Sequence, residues 1–404
     1  MPRPFYPAQL NAVAEALANI FGEPRAYADR EIARVLQADR RRGSRDRAFI
    51  AETTYGVVRY YRLLCAVAGG KPRSREDWWR LAGAYLLWKK VDELPEWTEF
   101  AGLSKIGVRG AVRRASQERA LRESIPDWLD ELGQSELGPD WSPTLAALNK
   151  TAPVVLRANR LRATPAEVAR ALAGDEVIAE SIAADALRVT ERRNLFRTRA
   201  FREGLFEVQD FSSQQAAPAL EVEPGQTVID ACAGAGGKSL HLAALLENRG
   251  QLLSLDIHGW KLKELKKRAR RAGVSNLETR EITSSKVIKR LHGRADRLLL
   301  DVPCTGLGVL RRNPDAKWKL DPAFVDRVVA EQRGILDRYA RMVKPGGKMV
   351  YATCSVLPRE NERQVEQFLA SPAGAGWALE HQRTYLPQTD GYDGFFVSRL
   401  AHGG

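Results

Sequence analysis

Along the first 150 residues, apolar positions recur at steps of three and four. "LNAVAEALANIF", "YADREIARVLQAD" and "RDRAFIAETTYGVVRYYRLLCAVA" each gather them on one helical face. In the last stretch Phe49, Thr53, Val57 and Tyr60 share that face, and Ser44 is the expected N-cap. "REDWWRLAGAYLLW" is apolar on nearly every side and predicts a core helix. Residues 1–150 therefore read as one all-helical domain. The pattern changes at 151. "PVVLRANRLRATPAEVARALAG" reads as strand, turn and helix, with Thr164 capping and Pro165 at the first helical position. "LRVTERRNLFRTRAFREGLFEVQDFSSQQAAPAL" reads as strands leading into a short helix, so 151–220 form a small α+β connector.

From 221 to 404 strand and helix patterns alternate. "QTVIDACAG", "GQLLSLDI", "NLETREI", "DRLLLDVPC", "GGKMVYATC" and "GFFVSRL" are the strands. "KSLHLAALLEN", "WKLKELKKRARRAG", "FVDRVVAEQRGILDRYARMV" and "ENERQVEQFLAS" are the helices between them. This order predicts an α/β domain with a mostly parallel, doubly wound sheet. Such sheets bind ligands at the carboxyl ends of their strands. Asp230, Asp256, Asp301 and Cys354 all fall at or just past such ends.

Composition narrows the partners. The 404 residues carry 63 Lys+Arg against 50 Asp+Glu, a formal charge of +13. That excess favours a polyanion, nucleic acid before membrane, because each neutralised phosphate releases counterions. No run approaches the ~18 apolar residues of a membrane span, and no signal-peptide pattern opens the chain, so a cytoplasmic protein without membrane contact is expected. Cys65, Cys232, Cys304 and Cys354 lack metal or disulfide spacing and the five histidines are scattered, so no metal is expected. The oligomeric state leaves no signature. Two basic stretches read two ways. The five arginines of "DRRRGSRDR" (39–47) suit a charged turn or a phosphate-facing patch, and the seven basic residues of "KLKELKKRARRAG" suit the solvated face of a sheet-packing helix.

"DACAGAGGKS" (230–239) leaves a strand through a glycine-rich turn and enters a helix. Gly234, Gly236 and Gly237 permit a tight turn and close approach to a ligand. Asp256 ends the next strand, where a carboxylate can accept both ribose hydroxyls. "LLLDVPCTGLGVLRRNPDAKWKL" sets Asp301 and Cys304 in the turn after an apolar strand, and the next long strand ends at Cys354 in "YATCSVLPRENE". Either thiol beside a nucleoside-binding loop fits methylation at C5 of a pyrimidine. A thiolate adding to C6 makes C5 nucleophilic, and loss of the C5 proton and of sulfur restores the ring. The site is expected to favour the thiolate through Lys238 or the start of a helix over 360–369. A carboxylic acid at Asp301 would donate to N3. Arg311, Arg312 and Lys317, close after Cys304, are expected to meet substrate phosphates. The target base must leave its stack, which favours a single-stranded site.

"DACAGAGGK", "DVPCTGLGVLRRNPDAKWK" and "YATCSVLPRENE" resemble motifs I, IV and VI of the Nop/Sun family of RNA cytosine-5 methyltransferases. The resemblance implies a Rossmann-like class I methyltransferase domain that uses S-adenosylmethionine. It makes Cys354 the nucleophile and Cys304 the residue that helps release product. By the same match Cys232, Ala233, Gly234, Ala235, Gly236, Gly237, Lys238, Asp256 and Asp301 would line the cofactor and base pocket. "FEVQDFSSQQ" is similar to the family's segment before the catalytic domain. "GSRDRAFIAETTYGVVRYYR" is similar to the NusB-like N-terminal domain of the bacterial small-subunit ribosomal RNA methyltransferase B type. An RNA-binding helical domain and a ribosomal RNA substrate are thereby implied. Two positions depart from the pattern. Ala235 stands for a proline, and "TREITSSK" puts Ile282 or Thr283 where an acid near the adenine is expected, with Glu281 a substitute only if the register shifts. The alternatives are a methyltransferase for another base and a non-catalytic RNA-binding assembly factor that keeps the fold.

Overall fold

Buried side chains recur through the helix Pro7–Gly22 at Leu10, Val13, Leu17 and Ile20, and this stripe organises the N-terminal helices. The computed structural model describes residues 6–23, 26–191 and 193–403. The chain divides into two compact units: residues up to Lys150 together with Leu310–Pro322, and Thr151–Val309 together with Ala323 to the C-terminus. The second unit takes in the connector, and Leu310–Pro322 groups with the helical residues.

The helical unit packs Pro7–Gly22 against Ala28–Ala38, Ser44–Arg59 and Arg75–Lys89. Trp78, Trp79, Leu81 and Leu86 of Arg75–Lys89 are all buried, as the apolar sequence predicts. The helix expected to run on past Tyr60 breaks there (φ −111°, ψ 24°) and restarts as Tyr61–Ala68. Its start is also displaced. Gly43 is the N-cap, and Asp46 rather than Ser44 closes onto it, accepting from Gly43 N–H at 3.2 Å. The break leaves carbonyls without partners in the last turn. Lys317 Nζ donates to Arg59 O at 2.8 Å, and Trp318 Nε1 donates to Val58 O at 2.8 Å. Two of the arginines of 39–47 act in the same way. Arg42 donates to Val35 O and Arg47 to Leu36 O, both in the last turn of Ala28–Ala38.

The second unit holds two sheets. Strands β1 (Val154–Ala158), β2 (Ala179–Ser181), β3 (Ala186–Val189) and β4 (Phe206–Val208) form an antiparallel sheet in the order β2-β3-β1-β4. The helix Pro165–Gly174 packs against it, capped by Thr164, whose Oγ accepts from Glu167 N–H at 3.3 Å as expected. The larger sheet comprises β5 (Thr227–Asp230), β6 (Gln251–Asp256), β7 (Leu277–Glu281), β8 (Ala295–Asp301), β9 (Val343–Thr353), β10 (Trp377–Tyr385) and β11 (Phe395–His402). Its order is β10-β11-β9-β8-β5-β6-β7, with β5 to β9 parallel and the last two strands antiparallel. The reversal of order between β5 and β8 makes a crevice at their carboxyl ends. Strand β10 was not expected. It is an edge strand, exposed over most of its length, and its polar "WALEHQRTY" suits an edge that must resist further pairing. No helix among the described residues is long and apolar enough to cross a membrane.

Gly56 lies against Tyr85, and an added Cβ would sit 2.1 Å from Tyr85 Cζ. Gly56→Ala is expected to destabilise the protein by about 1–3 kcal/mol despite alanine's better helix propensity. A lowered thermal midpoint would register it, whereas an unchanged or raised midpoint would contradict the packing.

Candidate active site

Strands β8 and β9 are parallel neighbours and pair Asp301 with Ala352, so the chain leaves both at the same level. Their loops run side by side, and Cys304 Sγ lies 3.2 Å from Cys354 Sγ. Both thiols are half-buried. Gly308 makes the close approach possible. Its N–H donates to Cys354 O at 2.9 Å, and it accepts from Gly394 N–H at 2.8 Å. A Cβ there would come within 2.2 Å of Gly394 O and 2.7 Å of Cys354 O, so only glycine fits.

The electrostatics differ from expectation. The hydrogen bond with Cys354, then burial, then the charges of Cys354 and Glu360 push the Cys304 thiol well above its ordinary value. These surroundings oppose ionisation of Cys304. Lys238 is ion-paired with Asp301, Nζ to Oδ2 at 2.7 Å, rather than with a sulfur. Within this pair the lysine is the donor and Asp301 the acceptor, which is the reverse of a carboxylic acid donating from Asp301. The helix expected over 360–369 begins only at Glu362, after a single tight turn at Pro358–Glu360.

The glycine loop after β5 is closed by Ala233 N–H to Leu255 O and by Gly236 N–H to Ala233 O, both 2.9 Å. Gly236, at φ +89°, caps the helix Gly237–Leu245, and a Cβ on it would strike Leu265 Cδ1 at 2.0 Å. Space is open around the position a Cβ would take on Gly234. Asp256 accepts from Gly234 N–H at 2.9 Å through Oδ2 and from His258 N–H at 2.8 Å through Oδ1. A carboxylate has about four acceptor positions, so two remain for ribose hydroxyls. Ala235, in the place of the proline, takes Arg268 Nη1 on its carbonyl at 2.7 Å. Arg268 and Arg271 also pair with the buried Glu207. Part of the basic helix thus holds the loop, while Lys263, Lys266 and Lys267 face solvent as its sequence suggests. Cys232 stays a thiol, pushed up by burial and by the neighbouring aspartates.

Beyond Asp256, a cavity of about 450 Å³ opens at the end of β7, lined by Ile282, Thr283, Ser284, Ile288 and Tyr339 among others. The carboxylate of the exposed Glu281 lies over Gly259, where a Cβ would meet Oε2 at 2.5 Å. The open glycine turn, the two available positions on Asp256 and this cavity fit an adenosine-type cofactor.

Two of the residues expected to meet phosphates are committed elsewhere. Lys317 is 2% exposed and donates to Arg59 O, and Arg311 is 5% exposed and donates to Ala147 O at 3.1 Å. Burial and Arg59 push the Lys317 amine well below its ordinary value. They serve the interior of the helical unit, which corrects the expectation of RNA contact; Arg312 is half-buried. The sequence reading passed over Glu360, fully buried between the two cysteine loops. Its only signal was an acid directly after the proline-bearing turn that follows Cys354.

Residues 217–401 match the model of a family described as 16S rRNA methyltransferase RsmB/F, and residues 125–195 match the ferredoxin-like domain of RsmF/B-like methyltransferases. A Synechocystis protein named "Probable ribosomal RNA small subunit methyltransferase B" is 34% identical over 407 residues, 88% of this chain and 91% of that protein. The solved structure of PH0851 shares the fold with a TM-score of 0.82 at 23% identity, over 99% of this chain and 100% of that one. NSun6 from Pyrococcus horikoshii, solved with SFG, aligns at a TM-score of 0.64 and 19% identity, over 70% of this chain and 99% of its own.

Asp230 yields a pH prediction. It is fully buried, Oδ2 accepts from Ser239 Oγ at 2.6 Å, and Oδ1 has no hydrogen-bond partner. Burial raises its carboxyl to about 7. A folded value above the unfolded one gives stability that is complete below about pH 4 and lost as pH rises to about 7, at about 1.4 kcal/mol per pH unit. Asp230→Asn has nothing to ionise. Its stability relative to wild type is expected to climb across that window and then level off. A difference independent of pH, followed by thermal unfolding from pH 4 to 8, would contradict this.

Proposed function

We propose, for a chain that belongs to the RsmB/F family of 16S rRNA methyltransferases, that Cys354 and Cys304 divide the work of S-adenosylmethionine-dependent methylation at C5 of a ribosomal RNA cytosine. The observation that supports this reading most directly is the 3.2 Å contact of two thiols at the carboxyl ends of adjacent strands. The surroundings of one of them, Cys304, oppose its ionisation.

Cys354 Sγ adds to C6 of the cytosine, forming an S–C6 bond and moving electron density onto the ring and C5. When bound, S-adenosylmethionine supplies an electrophilic methyl group for that carbon. Gly234, Gly236, Gly237 and Asp256 would hold it, with Cys232, Ala233 and Ala235 completing the loop around it. Water takes the C5 proton, the C5–H electron pair re-forms the C5–C6 double bond, and the S–C6 bond breaks with its pair on sulfur, restoring the aromatic ring and freeing Cys354. Cys304, 3.2 Å from the leaving sulfur, is positioned to act in that release. The Lys238–Asp301 pair suits the base. An ammonium can donate to the N3 and O2 side, where negative charge builds, and a carboxylate can accept from the N4 amino group that distinguishes cytosine from uracil.

The reaction is tested by nucleoside analysis of ribosomal RNA and of unmodified small-subunit particles after incubation with methyl-labelled S-adenosylmethionine. Label is expected in 5-methylcytidine, and label in another nucleoside would overturn the base assignment. Cys354→Ala is expected to abolish both turnover and the covalent protein–RNA adduct on denaturing gels. Cys304→Ala is expected to form that adduct and retain it. An active Cys354→Ala enzyme would remove Cys354 from the role of nucleophile.

A further inference from the structure

Glu360 is a buried acid whose hydrogen-bond partners include no cation. Its Oε1 accepts from Thr305 Oγ at 2.6 Å and from Ser355 Oγ; its Oε2 accepts from Thr305 N–H at 2.8 Å and from Gln332 Nε2 at 3.0 Å. Thr305 follows Cys304 in the chain, and Ser355 follows Cys354. Gln332 also donates to Pro303 O at 2.9 Å, on the other side of Cys304. The next residue, Asn361, accepts from Thr353 Oγ and donates to Ser355 O at 3.1 Å, on both sides of Cys354. Tyr351 Oη fixes the turn itself by donating to Glu360 O at 2.6 Å. Each thiol is thus bracketed by neighbours, and the bonds of one carboxylate join the two brackets.

A carboxylate at 0% exposure is costly to desolvate, and packing alone is served as well by an apolar side chain of similar size. What an apolar residue cannot do is accept from both loops together. We propose that Glu360 is the positioning residue of the thiol pair, tying the Cys304 loop to the Cys354 loop so that the two sulfurs face one reacting base. The proposal rests on the two-thiol reaction above for its purpose, but its geometry can be tested without that reaction.

Phenylarsine oxide is the probe. It binds two adjacent thiols through two As–S bonds, its oxygen leaving as water with both thiol protons, so its affinity reads the distance between the sulfurs. Wild type is expected to bind it bidentately, and Cys304→Ala or Cys354→Ala to lose that mode. Glu360→Gln puts an NH2 donor against Thr305 N–H and Gln332 Nε2, and the milder Thr305→Val removes one hydroxyl bridge. Both are expected to weaken arsenical binding, Glu360→Gln by about tenfold or more, equivalent to about 1.4 kcal/mol. Affinity for S-adenosylhomocysteine should stay within about twofold, and kcat for RNA methylation should fall with KM little changed. Wild-type arsenical affinity and turnover in both variants would overturn the proposal. So would a parallel loss of S-adenosylhomocysteine binding in both, which would make Glu360 a residue of general folding. If Cys354→Ala proved active while Glu360→Gln still lost the arsenical, the two-thiol reaction would fail and the positioning role would stand.

Discussion

The pairing of β8 with β9 is the constraint on which the site depends. Parallel neighbours deliver their loops on the same side of the sheet, and the Asp301–Ala352 register sets both exits at one height. Two cysteines fifty residues apart in sequence are thereby brought within reach of each other. The pairing of β5 with β8 extends the logic, because it brings the glycine loop and Lys238 beside Asp301. Side chains that belong to different motifs in the sequence become neighbours through three adjacent strands.

Such proximity has a cost that the polar groups around the loops offset. Loops at the end of a buried sheet carry backbone and hydroxyl groups that water does not reach, and each must find a partner. Thr305, Ser355 and Gln332 find Glu360, while Thr353 finds Asn361. Gly308 lets its backbone meet both Cys354 and Gly394.

Much of this was legible in the chain. Alternating apolar patterns gave the parallel strands, and the carboxyl-end rule selected Asp230, Asp256, Asp301 and Cys354 before any geometry was available. Thr164 and Pro165 capped their helix as their chemistry requires. The failures share a cause, namely that burial of polar residues has no periodic signature. Lys317 and Arg311 read as surface cations, yet the break at Tyr60 left the Arg59 carbonyl for Lys317, and the end of the helix Trp141–Leu148 presents the Ala147 carbonyl to Arg311. Glu360 stands in a charged stretch and carried no sequence signal of burial, yet it is inside. Strand β10 failed for the opposite reason, since an edge strand exposed to water has little apolar alternation to read.

The thiols themselves carry the last step. Two identical side chains in contact can take different roles only if their surroundings separate them. The hydrogen bond with Cys354 and burial come first in opposing ionisation of Cys304, and the negative charges of the facing sulfur and of Glu360 add to them. The bonds of Glu360 reach both loops, so this acid fixes where the two sulfurs lie. Lys238 takes no part in this, because its ammonium is ion-paired with Asp301.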